Sequence, residues 1–343
     1  MKDKCACPAY KQPSFRWIFR PASGLADGRA RFPSRLAGWN ISLQTLFCFS
    51  GRPFKWGRRL RLSVCCLFEG GITIKNVLTI AGSDCSGGAG IQADLKTFSA
   101  HGVYGMSVIV SVVAENTCRV ISIEDVAPGI IADQIDAVFE DIPVDGVKIG
   151  MLSNKEQMKT VAGKLLQYRP RGVVFDPVMV AKGGCALMQP EALETLKKEM
   201  LPRAFLITPN IPEAEALTGR KIETEEEMKR AAVLLSEMGP GNVLIKGGHL
   251  LGDAVDILYD GRDFHTFVME RIPTKNTHGT GCTLSSAIAA NLANGMGTVE
   301  AVKAAKEYVT TAIRHALPIG KGHGPTNHFY TLYQKGGLCH AEL

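Results

Sequence analysis

The pattern of hydrophobic and polar positions from Asn76 onward alternates short apolar runs with longer segments of helical spacing. The first run is NVLTIAG, and the segment after it places Ile91, Leu95 and Phe98 three or four residues apart, as on one face of an α-helix. Further apolar runs predict strands at MSVIVSVVAENT, GVKIG, GVVFDPV, AFLITPN and NVLIKGG, with helices at IIADQIDAVFEDI, Lys155 to Tyr168 and Pro190 to Met200. Strands that are apolar along their whole length are buried on both faces. The pattern therefore predicts an α/β fold with a mainly parallel central sheet and helices on both faces.

The segment AVDILYDGRDFHTFV departs from this alternation. It reads as two strands joined across Asp260-Gly261, a dipeptide that is typical of tight hairpin turns. We therefore expect a small antiparallel hairpin at one edge of the sheet. Two further helices are expected after it, at Cys282 to Asn294 and at about Val299 to His315.

Composition divides the chain near Gly71. Residues 1–68 contain 13 of the 39 Lys and Arg but only two acids, so the rest of the chain is mildly acidic, with 26 basic against 31 acidic residues. All three tryptophans and five of the ten cysteines also lie in this first segment. We interpret residues 1–71 as a basic, poorly ordered N-terminal extension and residues 72–343 as one α/β domain. An organelle transit peptide, a basic nucleic-acid arm and upstream sequence read in frame are the alternatives for the extension.

The apolar runs, the charge and the cysteines of the chain bear on its compartment and on the partners that it can have. No apolar run reaches the length that spans a membrane, and the acidic body offers no basic surface for nucleic acid. The sequence has no secretory signal, and the cysteines of the body are scattered along it. We therefore expect a cytoplasmic protein without a disulfide framework, with neither a membrane nor a nucleic acid as partner.

Polar or small residues follow the predicted strands at the point where each strand ends. In open parallel sheets, ligands bind beyond the carboxyl ends of the strands. The residues at these positions are Gly82 with Ser83 and Asp84, Glu115 with Asn116, Gly150 with Met151, Asp176, Asn210 with Glu213, and Lys246. Any one of them alone could be an ordinary polar loop residue or a helix cap, and for a single Asp or Asn that explanation is the more frequent one. Their placement at one end of the sheet predicts a binding site there.

The stretch NTHGTGCTLSSAIAANLANG, residues 276–295, has the pattern of an anion-binding loop that leads into a helix. Gly279 and Gly281 allow the backbone to turn so that successive amides face one point, and the dipole of the following helix also favours negative charge there. Cys282 lies in the first turn of that helix, where we expect a lowered thiol pKa and a role as base or nucleophile. A glycine-rich cap with a packed, inert cysteine is the alternative. The other glycine loop, GSDCSGGAGIQAD, matches neither a P-loop nor GxGxxG.

Eight motifs, taken in order, resemble the bifunctional hydroxymethylpyrimidine and phosphomethylpyrimidine kinases of thiamine biosynthesis, which belong to the ribokinase-like superfamily. They are TIAGSDCSGGAGIQADLKTFSAHGVYGMSV, VAENT, KIGMLSN, FDPVMVAKGG, LITPNIPEAEAL, LIKGGH, NTHGTGCTLSSAI and GKGHGPTNH. The resemblance extends from about Asn76 to His328, and residues 1–71 have no counterpart in it. It implies a ribokinase-like fold for residues 72–343 and an enzyme that uses ATP and Mg²⁺. The implied reaction phosphorylates 4-amino-5-hydroxymethyl-2-methylpyrimidine and then its monophosphate.

The resemblance also implies roles for individual residues. The pyrimidine pocket would be lined by Gly82, Asp94, Glu115, Met151 and Val178. Magnesium and its waters would be held by the oxygen-bearing side chains that this hard ion prefers, at Asp176, Asn210 and Glu213. The nucleotide phosphates would meet Lys246, Asn210 and Thr280. The catalytic residues would be Lys246, Gly279, Gly281 and Cys282. Gly279, Gly281 and Cys282 would form the anion hole, and Cys282 would occupy the position of the catalytic base.

Glu115 is a departure from many relatives, which resemble this chain but carry Gln at that position. A carboxylate accepts a hydrogen bond from the amine of an aminopyrimidine, but it meets the ring nitrogen only if one of the two is protonated. The alternative for Glu115 is a strand end in solvent.

Two other functions compete with the pyrimidine kinase. The nearer one is a pyridoxal kinase of the same subfamily, although VAENT and VMVAKGG resemble the pyrimidine enzymes more. The other is a non-catalytic sensor of a vitamin precursor, which would have no need for the residues implied to bind magnesium and phosphate. We expect a small pyrimidine as the partner, and a homodimer is left open.

Overall fold

The computed structural model describes residues 74–181, 184–248 and 253–337. The predicted N-terminal extension, residues 1–71, lies outside these ranges, as do the last residues of the chain. The helices of the described part include none with the length and hydropathy that crossing a bilayer requires.

One mixed sheet organises the described part of the chain, and its nine strands lie in the order β3-β2-β1-β4-β5-β6-β7-β8-β9. The strands are β1 (Asn76–Asp84), β2 (Tyr104–Glu115), β3 (Val120–Asp125), β4 (Gly146–Ile149), β5 (Val173–Phe175), β6 (Leu206–Ile207), β7 (Asn242–Lys246), β8 (Ala254–Tyr259) and β9 (Phe264–Met269). The six strands from β2 to β7 in this order pair in parallel, whereas β3, β8 and β9 are antiparallel to their neighbours. The predicted mainly parallel sheet and the edge hairpin are therefore confirmed.

The helices fill the connections between the strands. They are α1 (Gly90–Ala100), α2 (Pro128–Phe139), α3 (Lys155–Tyr168), α4 (Leu193–Thr195), α5 (Ile211–Thr218), α6 (Glu225–Ser236), α7 (Thr280–Ala293), α8 (Thr298–Arg314) and α9 (Tyr330–Lys335). The predicted helix at Pro190–Met200 is an irregular segment in which α4 is flanked by 3-10 turns and a π-helical turn. Side-chain capping begins α3 at Asn154 and α6 at Thr224.

The core lies in two layers, one on each face of the sheet. Because side chains of a strand alternate between faces, Val77 of β1 packs with α1, α7 and α8, whereas Leu78 and Ile80 pack with α2 and α3. Lys148 lies between Val147 and Ile149 of β4, which face the α2 and α3 layer, so its side chain enters the layer of α1 and α7. This alternation brings the ammonium group of Lys148 to the carboxylate of Asp94 on α1.

The sheet has its switch point at β1, which pairs in parallel with β2 on one side and with β4 on the other. The chain therefore leaves β1 in both directions, and the loops after β1 and β4 diverge. A crevice opens at such a point beyond the carboxyl ends of the strands. The fold thus places a cleft next to Gly82 and Met151.

The strand β3 was not anticipated from the sequence. Its residues VISIED are mostly exposed, and it pairs antiparallel with β2 at the edge of the sheet. An edge strand needs only backbone pairing and one packed face, so it lacks the continuous apolar pattern of the central strands. The charged residues Glu124 and Asp125 weakened the apolar pattern of this strand further.

Candidate active site

A cleft of about 1190 Å³ lies beyond the carboxyl ends of the parallel strands. Its walls come from the loops that follow β1, β2, β4, β5, β6 and β7 and from the start of α7. Of the thirteen residues that the resemblance implies for the site, twelve line it: Gly82, Glu115, Met151, Asp176, Val178, Asn210, Glu213, Lys246, Gly279, Thr280, Gly281 and Cys282. One predicted residue, Asp94, does not. The cleft is larger than a pocket for one small molecule usually is, and it has room for two ligands side by side.

The loop after β1 is organised by the carboxylate of Asp84. Oδ1 of Asp84 accepts from the amide of Ser86 at 2.7 Å, and Oδ2 accepts from the amides of Gly88 and Ala89 at 3.0 and 2.7 Å. Nε2 of His278 lies 2.9 Å from the same Oδ2. Burial raises the pKa of Asp84, but these hydrogen bonds outweigh it and hold the pKa well below the usual range. Asp84 therefore stays ionised and joins the two glycine-rich loops of the site.

Glu115 stands beside this pair at the end of β2. Burial, together with the charge of Asp84, raises the pKa of Glu115 to about 7. Ligating atoms of Asp84, Glu115 and His278 lie within 4.8 Å of one another, a spacing that could suit a metal ion. Oδ2 of Asp84 already has three donors around it, however, which leaves little room for a cation. We therefore interpret the cluster as a site where Glu115 holds a proton next to a fixed carboxylate.

The start of α7 is held close to the loop after β1. Gly279 has a left-handed conformation with φ of 77°, and a Cβ atom there would overlap the carbonyl oxygen of Gly88. Gly281, by contrast, lies in the first helical turn, so the expectation that it turns the backbone is wrong. Its lack of a side chain serves close approach instead, because a Cβ atom would lie 3.3 Å from Oδ2 of Asp176 and 3.4 Å from Nζ of Lys246.

The thiol of Cys282 is half-buried at the first turn of α7. Burial raises the pKa of Cys282 to about 11, and the carboxylates of Asp94 and Asp176 add to this, whereas Lys148 and the Gly90 amide oppose it. The predicted lowering of the thiol pKa is therefore wrong for the protein without ligands. The helix dipole and the amide are outweighed because the sulfur is removed from water.

Asp176 and Lys246 form an ion pair at the ends of β5 and β7, with Nζ of Lys246 2.7 Å from Oδ1 of Asp176. The hydroxyl of Thr208 donates to the same oxygen at 3.0 Å. Oδ2 of Asp176 is buried and has no hydrogen-bond partner within the described residues. Although burial lowers the pKa of Lys246, the carboxylates of Asp176 and Glu213 raise it above its usual value, so Lys246 stays charged.

Asn210 and Glu213 begin α5 as a capping box. Oδ1 of Asn210 accepts from the amide of Glu213 at 2.9 Å, and Oε2 of Glu213 accepts from the amide of Asn210 at 2.8 Å. Burial raises the pKa of Glu213 to about 7, with Lys246 opposing the rise and Asp176 adding to it. The two side chains thus have a structural task in the described fold, and each retains lone pairs towards the cleft.

Asp94 does not line the pyrimidine end of the cleft, contrary to the expectation. It is fully buried on α1, where it accepts from Nζ of Lys148 at 2.8 and 2.9 Å, from Thr79 at 2.6 Å and from Ser286 at 2.6 Å. Four short contacts occupy the carboxylate, so it has no capacity for a ligand. The correct place of Asp94 is beneath the floor of the cleft.

Sequence reasoning missed His278 and Lys148 as lining residues of the cleft. Lys148 carried a usable signal, because a charged residue inside the apolar run GVKIG has to find a buried partner. His278 carried a weaker one, its position directly before the glycine loop. Asp84 was noted among the strand ends, but its pairing with His278 spans 194 positions and left no local trace.

The geometry of the site agrees with the proteins to which this chain is similar in sequence. The family model described as phosphomethylpyrimidine kinase matches residues 84–327. The thiamine biosynthesis bifunctional protein ThiED of Geobacter sulfurreducens is 58% identical over 254 residues, which cover 74% of this chain and 52% of that relative. The chain thus spans about half the length of that protein. The hydroxymethylpyrimidine/phosphomethylpyrimidine kinase of Rhizobium meliloti is 52% identical over 257 residues, covering 74% of this chain and 96% of the relative.

A solved structure agrees in fold. The ADP complex of Bacillus subtilis pyridoxal kinase superposes with a TM-score of 0.71 and 39% identity, covering 76% of this chain and 99% of that one. The family match includes the loop after β1, the glycine loop at the start of α7 and every strand between them. Because that match covers well over half of the sequence, the chain belongs to the phosphomethylpyrimidine kinase family.

Proposed function

We propose that this protein is an ATP- and Mg²⁺-dependent kinase that phosphorylates 4-amino-5-hydroxymethyl-2-methylpyrimidine and then its monophosphate, in thiamine biosynthesis. The observation that carries the proposal is the single continuous cleft. It joins a pocket beside Glu115 and Met151 to a second region beside Asn210 and Lys246, with the glycine loop of α7 between them. An acceptor at one end and a phosphate donor at the other would meet at that loop.

The first end of the cleft suits a small heteroaromatic ring with polar edges. Met151 and Val178 offer apolar contact with the ring faces, and Gly82 leaves space beside the sulfur of Met151. Glu115 in its neutral form both donates and accepts a hydrogen bond. That combination matches a ring nitrogen next to an amine, which is the edge of a 4-aminopyrimidine.

The second end suits a nucleotide. Lys246 supplies a fixed positive charge for phosphate oxygens, and Asn210 and Thr280 supply neutral polar groups beside it. The start of α7 lines the cleft, and the N-terminus of a helix stabilises anions through its amides. Apolar side chains at Ile272 and Ile313 form a wall that would accept the adenine ring.

The residues also fit a magnesium ion. Oδ2 of Asp176 is a buried carboxylate oxygen without a partner in the described structure, next to the glycine loop, and Asn210 and Glu213 add oxygen donors nearby. Such oxygens are the ligands that Mg²⁺ prefers. When bound, the ion would neutralise charge on the nucleotide phosphates. The contribution of the chain itself is to hold Lys246 and the loop amides in place before substrate arrives.

A substrate panel tests the proposal. With ATP and Mg²⁺, we expect turnover of hydroxymethylpyrimidine and of its monophosphate, and a lower kcat/KM for pyridoxal. The pyrimidine amine is expected to decide the order, because it gives Glu115 a hydrogen bond that the corresponding edge of pyridoxal does not offer. A control without Mg²⁺ separates the proposed role of the ion from background hydrolysis.

Pyridoxal kinase is the second candidate, and the structural likeness to the Bacillus subtilis enzyme is what favours it. The pyridoxal hydroxymethyl group is also attached to a six-membered nitrogen ring. A higher kcat/KM for pyridoxal than for both pyrimidines would reverse the order of the two proposals. Absence of turnover with any acceptor, at full nucleotide binding, would favour the sensor.

The pKa of Glu115 predicts how the KM for hydroxymethylpyrimidine changes with pH. Since the pKa of Glu115 is about 7, the neutral, donating form is lost as pH rises above 7. We expect KM for hydroxymethylpyrimidine to rise by up to about tenfold per pH unit above that point. Glu115→Gln donates and accepts at every pH, so its KM should stay flat. The ring of the substrate titrates identically with both enzymes, and the ratio of their KM values removes that contribution.

Glu115→Leu is the matched control, since it fills similar space without polar atoms. It should weaken pyrimidine binding at every pH by about 1–3 kcal/mol, because the polar edge of the ring would be buried and unpaired. Unchanged substrate affinity in the leucine variant would remove Glu115 from the pocket. A wild-type KM that does not vary with pH relative to the glutamine variant would show that Glu115 does not titrate there.

We further propose a cytoplasmic setting and a homodimer. The cysteines Cys85, Cys118, Cys185 and Cys282 are unpaired in the described part of the chain, which suits a reducing compartment. Val112 and Ile121 are 52% and 63% exposed on neighbouring strands at one sheet edge. Exposed apolar side chains at a sheet edge favour association of two copies.

A further inference from the structure

A fully buried ion pair lies directly beneath the cleft. Nζ of Lys148 on β4 is 2.8 Å from Oδ2 of Asp94 on α1, and neither side chain has any exposed surface. Other ion pairs of the described residues keep some exposure, Lys246 with Asp176 included. Removing two charges from water costs more free energy than their attraction usually returns. A pair in this position is therefore weak evidence for stability and calls for a functional explanation.

The pair is tied to the first turns of two helices. Ser286 of α7 donates to Oδ1 of Asp94 at 2.6 Å. Ser286 follows Cys282 by four positions, so both residues lie on the same face of α7. On α1, Asp94 follows Gly90 by four positions, and the Gly90 amide acts to lower the pKa of Cys282 against the effect of burial. The ion pair and the thiol are thus fixed to each other by α1 and α7.

Lys148 is the member of the pair that lies next to the cleft, and its side chain has no exposed surface. It belongs to the lining of the cavity, whereas Asp94 does not. A Cβ atom on Gly150 would lie 2.7 Å from Nζ of Lys148, so the ammonium group occupies space beside the next glycine of the chain. Asp94 is held from three sides by Thr79, Lys148 and Ser286. The carboxylate therefore acts as a fixed anchor for the ammonium group of Lys148, and Lys148 is the residue of the pair next to the cleft.

We propose that Lys148, anchored by Asp94, is a positioning residue that stabilises the thiolate of Cys282, and so enables that sulfur to accept the proton of the substrate hydroxyl. This rests on the proposed function for its catalytic consequence, but not for its effect on the thiol. In forming the thiolate, the S–H bond breaks and the proton leaves to solvent. The sulfur keeps the electron pair, and the ammonium group of Lys148 offsets the new negative charge.

The charges that face Cys282 come from four elements. Lys148 on β4 and Lys246 on β7 favour the thiolate, whereas Asp94 on α1 and Asp176 after β5 oppose it. Lys148 is the strongest of the charged influences on the thiol. Its pKa is raised by Asp94, Cys282 and Asp176 despite burial, so it remains protonated across the neutral range. Lys148 is therefore the charge whose removal should disturb the thiol most.

Alkylation of the full-length protein without ligands tests this inference. Iodoacetamide reacts with the thiolate, so its rate at a fixed pH reports the thiolate fraction. The rate is followed on the peptide that contains Cys282, between pH 7 and pH 10. We expect Lys148→Gln to slow alkylation of Cys282 by at least about tenfold, because a nearby opposite charge shifts a pKa by about 1–3 units. The exposed thiols of Cys85, Cys118 and Cys185 are internal controls whose rates should not change.

Asp94→Asn is the matched variant, because it breaks the same ion pair but leaves the lysine. It should speed alkylation of Cys282, since a negative charge that opposes the thiolate is removed. A merely structural pair would shift both variants in the same direction. An unchanged rate in Lys148→Gln, or a faster one, would overturn the proposal.

A double variant covers the case in which a single change prevents folding. Lys148→Met with Asp94→Leu replaces the pair by apolar side chains, a change that buried ion pairs often tolerate. Because Lys148 has the larger influence on the thiol, alkylation of Cys282 should still be slower than in the wild type. A rate equal to or above that of the wild type would contradict the inference. These measurements need no substrate, so they can fail while the proposed kinase activity holds, and the reverse.

Discussion

Cys282→Ala is expected to lower the rate of the first phosphorylation by up to about 10²–10⁴-fold, the range typical of general-base assistance, as the pH rises towards the thiol pKa, while the second falls much less. In the first step the nucleophile is an alcohol, and its proton must leave as the oxygen attacks phosphorus. In the second step the acceptor is a phosphate ester with a second pKa of about 6, so it is already ionised near neutral pH. Only the first acceptor needs a base.

The anion hole should survive this substitution. We expect it to be formed by backbone amides at the start of α7, and a substitution at position 282 leaves Gly279 and Gly281 themselves unchanged. Charge stabilisation of the transferred phosphoryl group is common to both steps. A loss confined to the alcohol step would therefore assign the proton transfer to the sulfur.

The pH dependence of the same step adds a second signature. Because burial raises the pKa of Cys282 to about 11, the thiol is mostly protonated at neutral pH. The active thiolate fraction grows as pH rises towards that value, so the rate of the alcohol step should increase with pH across the accessible range. The alanine variant should lack this increase.

Each step is to be measured separately with purified acceptor, under conditions where chemistry limits the rate. Cys282→Ser is the control, since it keeps the size of the side chain but replaces the thiol with a far weaker acid. An equal fall in both steps would mean that Cys282 shapes the anion hole instead of taking the proton.

Gly279→Ala is expected to lower the free energy of unfolding by about 2–5 kcal/mol and to reduce both phosphorylations. The residue has φ of 77°, where an alanine is strained by about 1–2 kcal/mol. Its Cβ atom would also overlap the carbonyl oxygen of Gly88, and overpacking of this kind costs about 1–3 kcal/mol. The overlap is with backbone, so it is relieved only if α7 moves away from the loop after β1.

That movement is why activity should fall in both steps. The loop amides position the phosphoryl group, and a displacement of about 1 Å costs on the order of 10²-fold in rate. The measurements are thermal or denaturant unfolding and the two separate rates. Gly279→Ala should therefore differ from Cys282→Ala by affecting the two acceptors alike.

Gly102→Ala is the matched control for strain. Gly102 also has a left-handed conformation, with φ of 70°, but among the described residues no atom beyond its two chain neighbours lies within 4 Å of a Cβ placed there. It should lose only the strain contribution and keep full activity. If Gly279→Ala is no less stable than Gly102→Ala, the close approach of the two glycine loops has no energetic importance.

Most of the architecture follows from local pattern. The continuous apolar runs that became β1, β4, β5 and β7 predict burial on both faces, and Asp260-Gly261 predicts the hairpin of β8 and β9. These signals are readable because each is set by neighbours within a few positions along the chain. The ordered motifs likewise identified the family, and the rule for parallel sheets put the polar strand ends at one edge.

The sequence by itself determined most of the residues that the strand ends bring to the cleft, but only the tertiary structure decided what each of them does there. Asp94 and Lys148 are 54 positions apart, and their pairing turned one residue from a pocket wall into a buried anchor. The raised pKa values of Glu115 and Cys282 come from desolvation and from charges on other elements. From the sequence, a thiol in the first turn of a helix is expected to have a lowered pKa, because the helix dipole is set by residues close by in the chain. Burial is not local, and here burial has the larger effect on the pKa.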